Sequence, residues 1–282
     1  MGGSGRGTTF SHRTPADLRK AVRLAEDNST VKEFELALAT TLGSLLSEVN
    51  QRDHQQVKER LDDLKSLLQS EIEGSFDTVF GGSVAKHTYV DGLSDIDSLV
   101  MLNDSDLEKH SPQRALERMA NILATSAPAG STVSHGRMAV TVDYGDGMVI
   151  QLLPAIRGED GQVHVPSSRR DAWSQINPIT FKEALTRRNA ECGNKLIPTI
   201  KLAKAINGEL PESQRLSGYH IESLAIAAFR NYEGENSTSA MLPTFFERAK
   251  DLVRTPIKDS TGQSIHVDGY LGPAESSARI TY

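Results

Sequence analysis

Two short stretches of this 282-residue sequence carry residue types that can do chemistry. Gly81, Gly82 and Ser83 follow a short strand-like stretch at 76–80. A glycine-rich turn between a strand and a helix start points backbone N–H groups outward, and such groups bind phosphate oxygens. The hydroxyls of Ser83 and Thr88 add two donors. Twelve residues after Ser83, Asp95 and Asp97 stand two apart at the head of the apolar run 96–102. The two-residue period of a strand puts both carboxylates on one sheet face. Facing carboxylates repel unless a cation neutralises them. Hard oxygen ligands suit Mg²⁺, which takes substrate phosphate oxygens as further ligands. Together these residues are suited to handling a metal-bound phosphate.

The elements that must position them follow from the spacing of apolar residues. Val31, Phe34, Leu38, Leu42, Leu45 and Val49 recur at helical spacing, with Ser29 or Thr30 available as a cap, and Val57, Leu61, Leu64, Leu68 and Ile72 repeat the pattern. The period then shortens. Strands are predicted at 76–80 and 96–102, a helix at 112–125, and two β-rich runs at 138–144 and 148–156 around Gly145-Asp146-Gly147. Residues 157–177 read as loop. Helices are predicted at 181–191, 195–207, 219–232 and 242–253, followed by a turn-rich end.

The order Gly82-Ser83, Lys86-His87-Thr88, Leu93-Ser94-Asp95-Ile96-Asp97 resembles the signature of the DNA polymerase β nucleotidyltransferase superfamily. Within it, the pattern is similar to the branch of oligoadenylate synthetases, cyclic GMP–AMP synthase and the bacterial CD-NTases. The SMODS-type CD-NTases, which make cyclic oligonucleotide signals in antiphage CBASS operons, look nearest. The resemblance implies an α+β fold, with a polymerase β-like core of mixed sheet and helices packed against a helical, oligoadenylate synthetase-like C-terminal lobe. It divides the chain into a flexible basic arm (1–28), N-terminal helices plus the nucleotidyltransferase core (29–178) and the helical lobe (179–282).

The resemblance also assigns roles. Asp95 and Asp97 anchor Mg²⁺ or Mn²⁺ in a two-metal attack of a ribose hydroxyl on an α-phosphate. Gly82 and Ser83, with Thr88, cradle phosphates. The stretch 195–206 is similar to the helix that carries a phosphate-binding lysine, with Lys201 and Lys204 as candidates. Ser217-Gly218-Tyr219-His220 resembles a helix start whose tyrosine stacks on the base. The substrates implied are NTPs, ATP or GTP above all, and an operon-encoded effector or regulatory protein is a possible partner.

One position departs from the family pattern. The third carboxylate expected three residues before Pro154-Ala155 is Gln151. Asp143 is the alternative, and strand register decides. Asp-Gly favours a two-residue turn at Asp146-Gly147, which sets Val142 opposite Gln151 and turns Asp143 to the other face. A three-residue loop at 145–147 sets Asp143 opposite Val149, on the face of Gln151. A chain that binds nucleotide with weak or no turnover stays open as an alternative, as does nucleotide transfer to RNA or protein.

Composition narrows the partners. With 31 basic and 37 acidic side chains the net charge is −6, whereas proteins that bind long nucleic acids carry a basic surplus. No obligatory nucleic acid is expected, although Arg6, Arg13, Arg19, Lys20 and Arg23 oppose only Asp17 near the start. No apolar run approaches the roughly 20 residues that span a bilayer. A single Cys192 excludes an internal disulfide and fits a reducing, cytoplasmic setting.

Overall fold

The helical spacing of apolar residues builds α1 (Val31–Glu48) and α2 (His54–Glu71). The strand-period residues follow as β1 (Asp77–Phe80) and β2 (Ile96–Met101). A computed structural model describes residues 31–50, 54–73, 77–80, 88, 96–103, 105–167, 171–176, 178–259 and 266–281. The basic arm expected at 1–28 lies outside them, as do Gly82, Ser83 and Asp95.

Beyond β2, a single 3₁₀ turn leads into α3 (Pro112–Ser126). Ser111 caps α3 by accepting from the Arg114 N–H, and Pro112 opens it with its φ already set. Then come β3 (Thr132–His135), β4 (Val140–Asp143), β5 (Val149–Arg157), β6 (Val163–Pro166) and β7 (Trp173–Ile176). The last four helices of substance are α4 (Pro178–Glu191), α5 (Leu196–Gly208), α6 (Gly218–Ala228) and α7 (Thr238–Leu252), and one further turn, α8 (Ser277–Ile280), follows.

The seven described strands form one mixed sheet in the order β1-β2-β5-β4-β3, with β6 paired to the far end of β5 and β7 to β6. β2 runs parallel to β5, and the other pairs are antiparallel. β6 and β7 occupy the stretch read as loop. Each is four residues long, and Pro166 in β6 and the Ser174-Gln175 pair in β7 weaken the strand signal; pairing creates them.

The β4–β5 hairpin takes the register that the Asp-Gly turn rule disfavours. Asp143 pairs with Val149, Val142 with Ile150 and Thr141 with Gln151. The loop is Gly145-Asp146-Gly147, with both glycines at positive φ (74° and 97°). This register gathers Val140, Val142, Ile150 and Leu152 on the buried face, each at 0–1% exposure. The two-residue turn would have put Asp143 among them, and burying a carboxylate costs more than any turn preference returns. Arg60 of α2 holds the loop: its guanidinium donates to both carboxylate oxygens of Asp146 and lies 4.1 Å from the centre of the Tyr144 ring. That hydrogen bond keeps the Asp146 carboxyl below its usual pKa.

Two main cores result. One lies between the sheet and α2 and α3, where Val100, Val142 and Ile150 meet Leu64, Leu68, Leu116 and Met119. Truncating Leu116 to Ala there costs about 2–5 kcal/mol. The other joins α4 to α7, and α1 belongs to it: Leu42, Leu45 and Val49 pack with Ile200, Leu224, Met241 and Phe245. α1 and α2, adjacent in sequence, thus serve different cores, and the first helix of the 29–178 segment packs with the helices of 179–282.

Candidate active site

Register builds the site. β2 beside β5 in parallel sets Asp97 against Gln151, β4 sets Thr141 against Gln151, and β3 sets Ser134 against Thr141. Alternation sends Ser98, Leu152 and Val140 to the core, so Asp97, Gln151 and Thr141 share the opposite face, each half-buried. Towards the ends of β2 and β5, the same face carries Leu99 and Met101, packed with Ala155, Val165 and Ile176.

Gln151 is therefore the direct neighbour of Asp97. Asp143 shares this face but sits two strands and two residues away, roughly 12 Å between Cα atoms by sheet spacings. It is exposed, and its Oδ1 accepts the Gly145 N–H at 2.8 Å. Among the described residues, no three His, Cys, Asp or Glu side chains gather as a metal cluster. Asp97, Gln151 and Thr141 do offer oxygen donors side by side, the donor chemistry that a hard divalent cation takes.

The helical lobe supplies the other sequence candidates. Ser217 caps α6 by accepting from the His220 N–H, and its own N–H donates to the Tyr270 hydroxyl at 3.1 Å. Tyr219 is half-buried. Its ring leans on Phe181, with centroids 4.7 Å apart, and its hydroxyl donates to Asp259 at 2.8 Å. Lys201 donates to Oδ1 of Asn50, in the turn after α1, at 2.5 Å.

Thr88 and Lys204, expected at phosphates, are placed differently. They are 0% and 5% exposed. Lys204 Nζ lies 2.7 Å from Glu222 Oε1 and 3.0 Å from the Thr88 carbonyl oxygen, while the Thr88 hydroxyl donates to Glu222. The physical reason is that Lys204 and Glu222 lie on the sides of α5 and α6 that pack in the helical core, so each charge is buried there and must meet its opposite. Glu222 escaped sequence reasoning, although it carried the signal: a lone acid between Ile221 and Leu224 in a buried helix needs a cation.

A second buried network fixes the chain's end. Arg279, 0% exposed, donates to Asp268 Oδ2 at 2.6 Å and to the carbonyls of Val253, Asp268, Gly272 and Pro273. His220 Nδ1 lies 2.9 Å from the Tyr270 hydroxyl, and its Nε2 lies 3.6 Å from Asp268. Burial lowers the His220 pKa to about 4, which outweighs the nearby Asp268 carboxylate. The ring is thus neutral at pH 7 and braces the start of α6.

Residues 37–189 match the Second Messenger Oligonucleotide or Dinucleotide Synthetase (SMODS) domain. No curated protein matches the sequence. Among solved structures, CdnC of E. coli MS115-1, solved with ATP, is similar at TM-score 0.59 and 18% identity, over 80% of each chain. The CD-NTase CdnG of Bradyrhizobium diazoefficiens, in complex with GTP, gives TM-score 0.61 and 14% identity, over 86% of this chain and 87% of that one. The cyclic AMP-GMP synthase DncV of Vibrio cholerae gives TM-score 0.57 and 12% identity, over 94% of this chain and 80% of that one. The chain belongs to the SMODS family, and its fold is the polymerase β-like nucleotidyltransferase fold of the bacterial CD-NTases.

Proposed function

We propose that the protein joins NTPs into a cyclic or short linear oligonucleotide that serves as a second messenger in antiphage CBASS signalling in the cytoplasm. The observation that carries this reading is the register that stands Asp97 beside Gln151 on the open sheet face of a SMODS-family fold. The reaction bonds a ribose 2′- or 3′-oxygen to an α-phosphorus and breaks that phosphorus's bond to the pyrophosphate. Such transfer needs positioning and charge neutralisation more than covalent chemistry.

Asp95 and Asp97 would hold Mg²⁺ or Mn²⁺ for two-metal chemistry, with the Gln151 carbonyl oxygen as a neutral third ligand. When bound, these ions neutralise the triphosphate and make the attacking hydroxyl more acidic. Gly82 and Ser83 cradle the β- and γ-phosphates, and Lys201 offsets charge on the departing pyrophosphate. Tyr219, steadied by Phe181 and Asp259, offers a ring to the base, a contact worth about 1–3 kcal/mol. Ser217 keeps the helix start in place beside it. No described helix is long and apolar enough to cross a membrane, and the products envisaged are free in solution. ATP and GTP are the expected substrates, and an operon-encoded effector is the expected partner.

Incubation with all four labelled NTPs and Mg²⁺ or Mn²⁺, followed by phosphatase and mass spectrometry, tests this. A resistant oligonucleotide supports it, and nucleotide mass on RNA or protein redirects it. Gln151 favours a second reading, nucleotide binding without transfer. Bound NTP with no pyrophosphate released in either metal would establish that reading instead.

A further inference from the structure

The connection from β1 to β2 contains Gly82, Ser83 and Asp95 in sequence, and Thr88 within it is fully buried. Two helices grip Thr88 at once. Its carbonyl oxygen accepts from Lys204 of α5 at 3.0 Å, and its hydroxyl donates to Glu222 of α6 at 2.5 Å. Lys204 and Glu222 close the triangle at 2.7 Å. α5 also carries Lys201, and α6 begins beside Ser217 with Tyr219 in its first turn. One buried point therefore joins three segments that carry proposed nucleotide contacts.

A buried ion pair is a poor source of stability, because desolvating two charges offsets their attraction, and apolar residues of like volume do as well or better. What the pair does supply is a single arrangement. Among the described residues Lys204 and Glu222 meet as opposite charges, and the Thr88 carbonyl and hydroxyl must both face inward to complete the set. We infer that Lys204 and Glu222 are positioning residues that latch Thr88 to the helical lobe in the arrangement that binds a nucleoside triphosphate. This role rests on the nucleotidyl-transfer reading above. Without the latch only a fraction of molecules holds that arrangement, and apparent affinity falls by the same fraction. KM for the triphosphate then rises while kcat at saturation is kept, whereas a merely structural pair would leave KM alone.

The test compares the chain with Lys204→Met/Glu222→Leu, which removes both charges and strands neither, using ATP and GTP with Mg²⁺. Glu222→Gln, which keeps the shape and loses the charge, takes its place if the double variant does not fold. The expected results are a KM raised at least about tenfold with kcat within about twofold. Without nucleotide, amide exchange in the peptide containing Thr88 should be about tenfold faster. Parental exchange in a folded variant overturns the latch. Faster exchange with parental KM overturns its role at the nucleotide site. Exchange requires no product, so a parent chain that makes none sinks the nucleotidyl-transfer reading while the latch is still judged by exchange.

Discussion

Two polar regions of this molecule treat their charges in opposite ways. On the open sheet face, Asp97, Gln151 and Thr141 stand half-buried in a row, with a single carboxylate among them. In the helical lobe, Lys204, Glu222, Asp268 and Arg279 are all 5% exposed or less, and each charge meets its opposite within 2.7 Å. Water reaches the first group and is shut out of the second. Charges left partly open suit a ligand that brings its own countercharge, while sealed and paired charges fix how segments sit against one another. The sequence candidates divide along this line: Asp97 falls in the open row, while Thr88 and Lys204 fall in the sealed set.

Four substitutions break or sharpen this contrast. The largest effect is expected from Asp97→Asn, which removes the row's only charge. Nucleotide transfer should fall at least about 10³-fold with the melting temperature nearly unchanged. Full turnover by this variant would show that the row is not the site. In the sealed region the reverse pattern holds. Arg279→Leu leaves the buried Asp268 without its cation and takes a donor from four carbonyls, and urea unfolding should register a loss of about 3–5 kcal/mol.

His220 links that network to pH. Its pKa of about 4 in the folded chain lies below its ordinary 6.5, so between those values the unfolded chain binds more protons. Stability is fully present above about pH 6.5 and declines as the pH falls towards 4, by roughly 3 kcal/mol at most. His220→Gln should flatten that slope in unfolding curves taken across the range. The smallest change expected is a gain. Gln151→Asp puts a second carboxylate beside Asp97, and calorimetry should show Mn²⁺ binding about tenfold tighter. Repulsion between the two carboxylates should lower the melting temperature slightly until the metal is added.

The elements that could be read along the chain are those whose signal is local. The helix α3 and the β-rich run that becomes β5 needed only near neighbours. The strand that bears Asp97 was legible for the same reason, since Ile96, Leu99, Val100, Met101 and Leu102 make one apolar strand signal. The strands β6 and β7 were not legible, because they exist through pairing.

Sequence by itself determined the family signature, the main helices and the strand that bears Asp97, through periods of two and of about 3.6 residues. Tertiary structure decided three further matters. It chose the hairpin register, because Val142 and Ile150 had to enter the core together and Asp143 had to stay out. It sent α1 to the helical lobe and α2 to the sheet. It also paired Lys204 with Glu222, 18 residues on, and with Thr88, 116 residues back. Each of these choices turns on which groups lose water together, and that depends on packing between segments far apart in the chain.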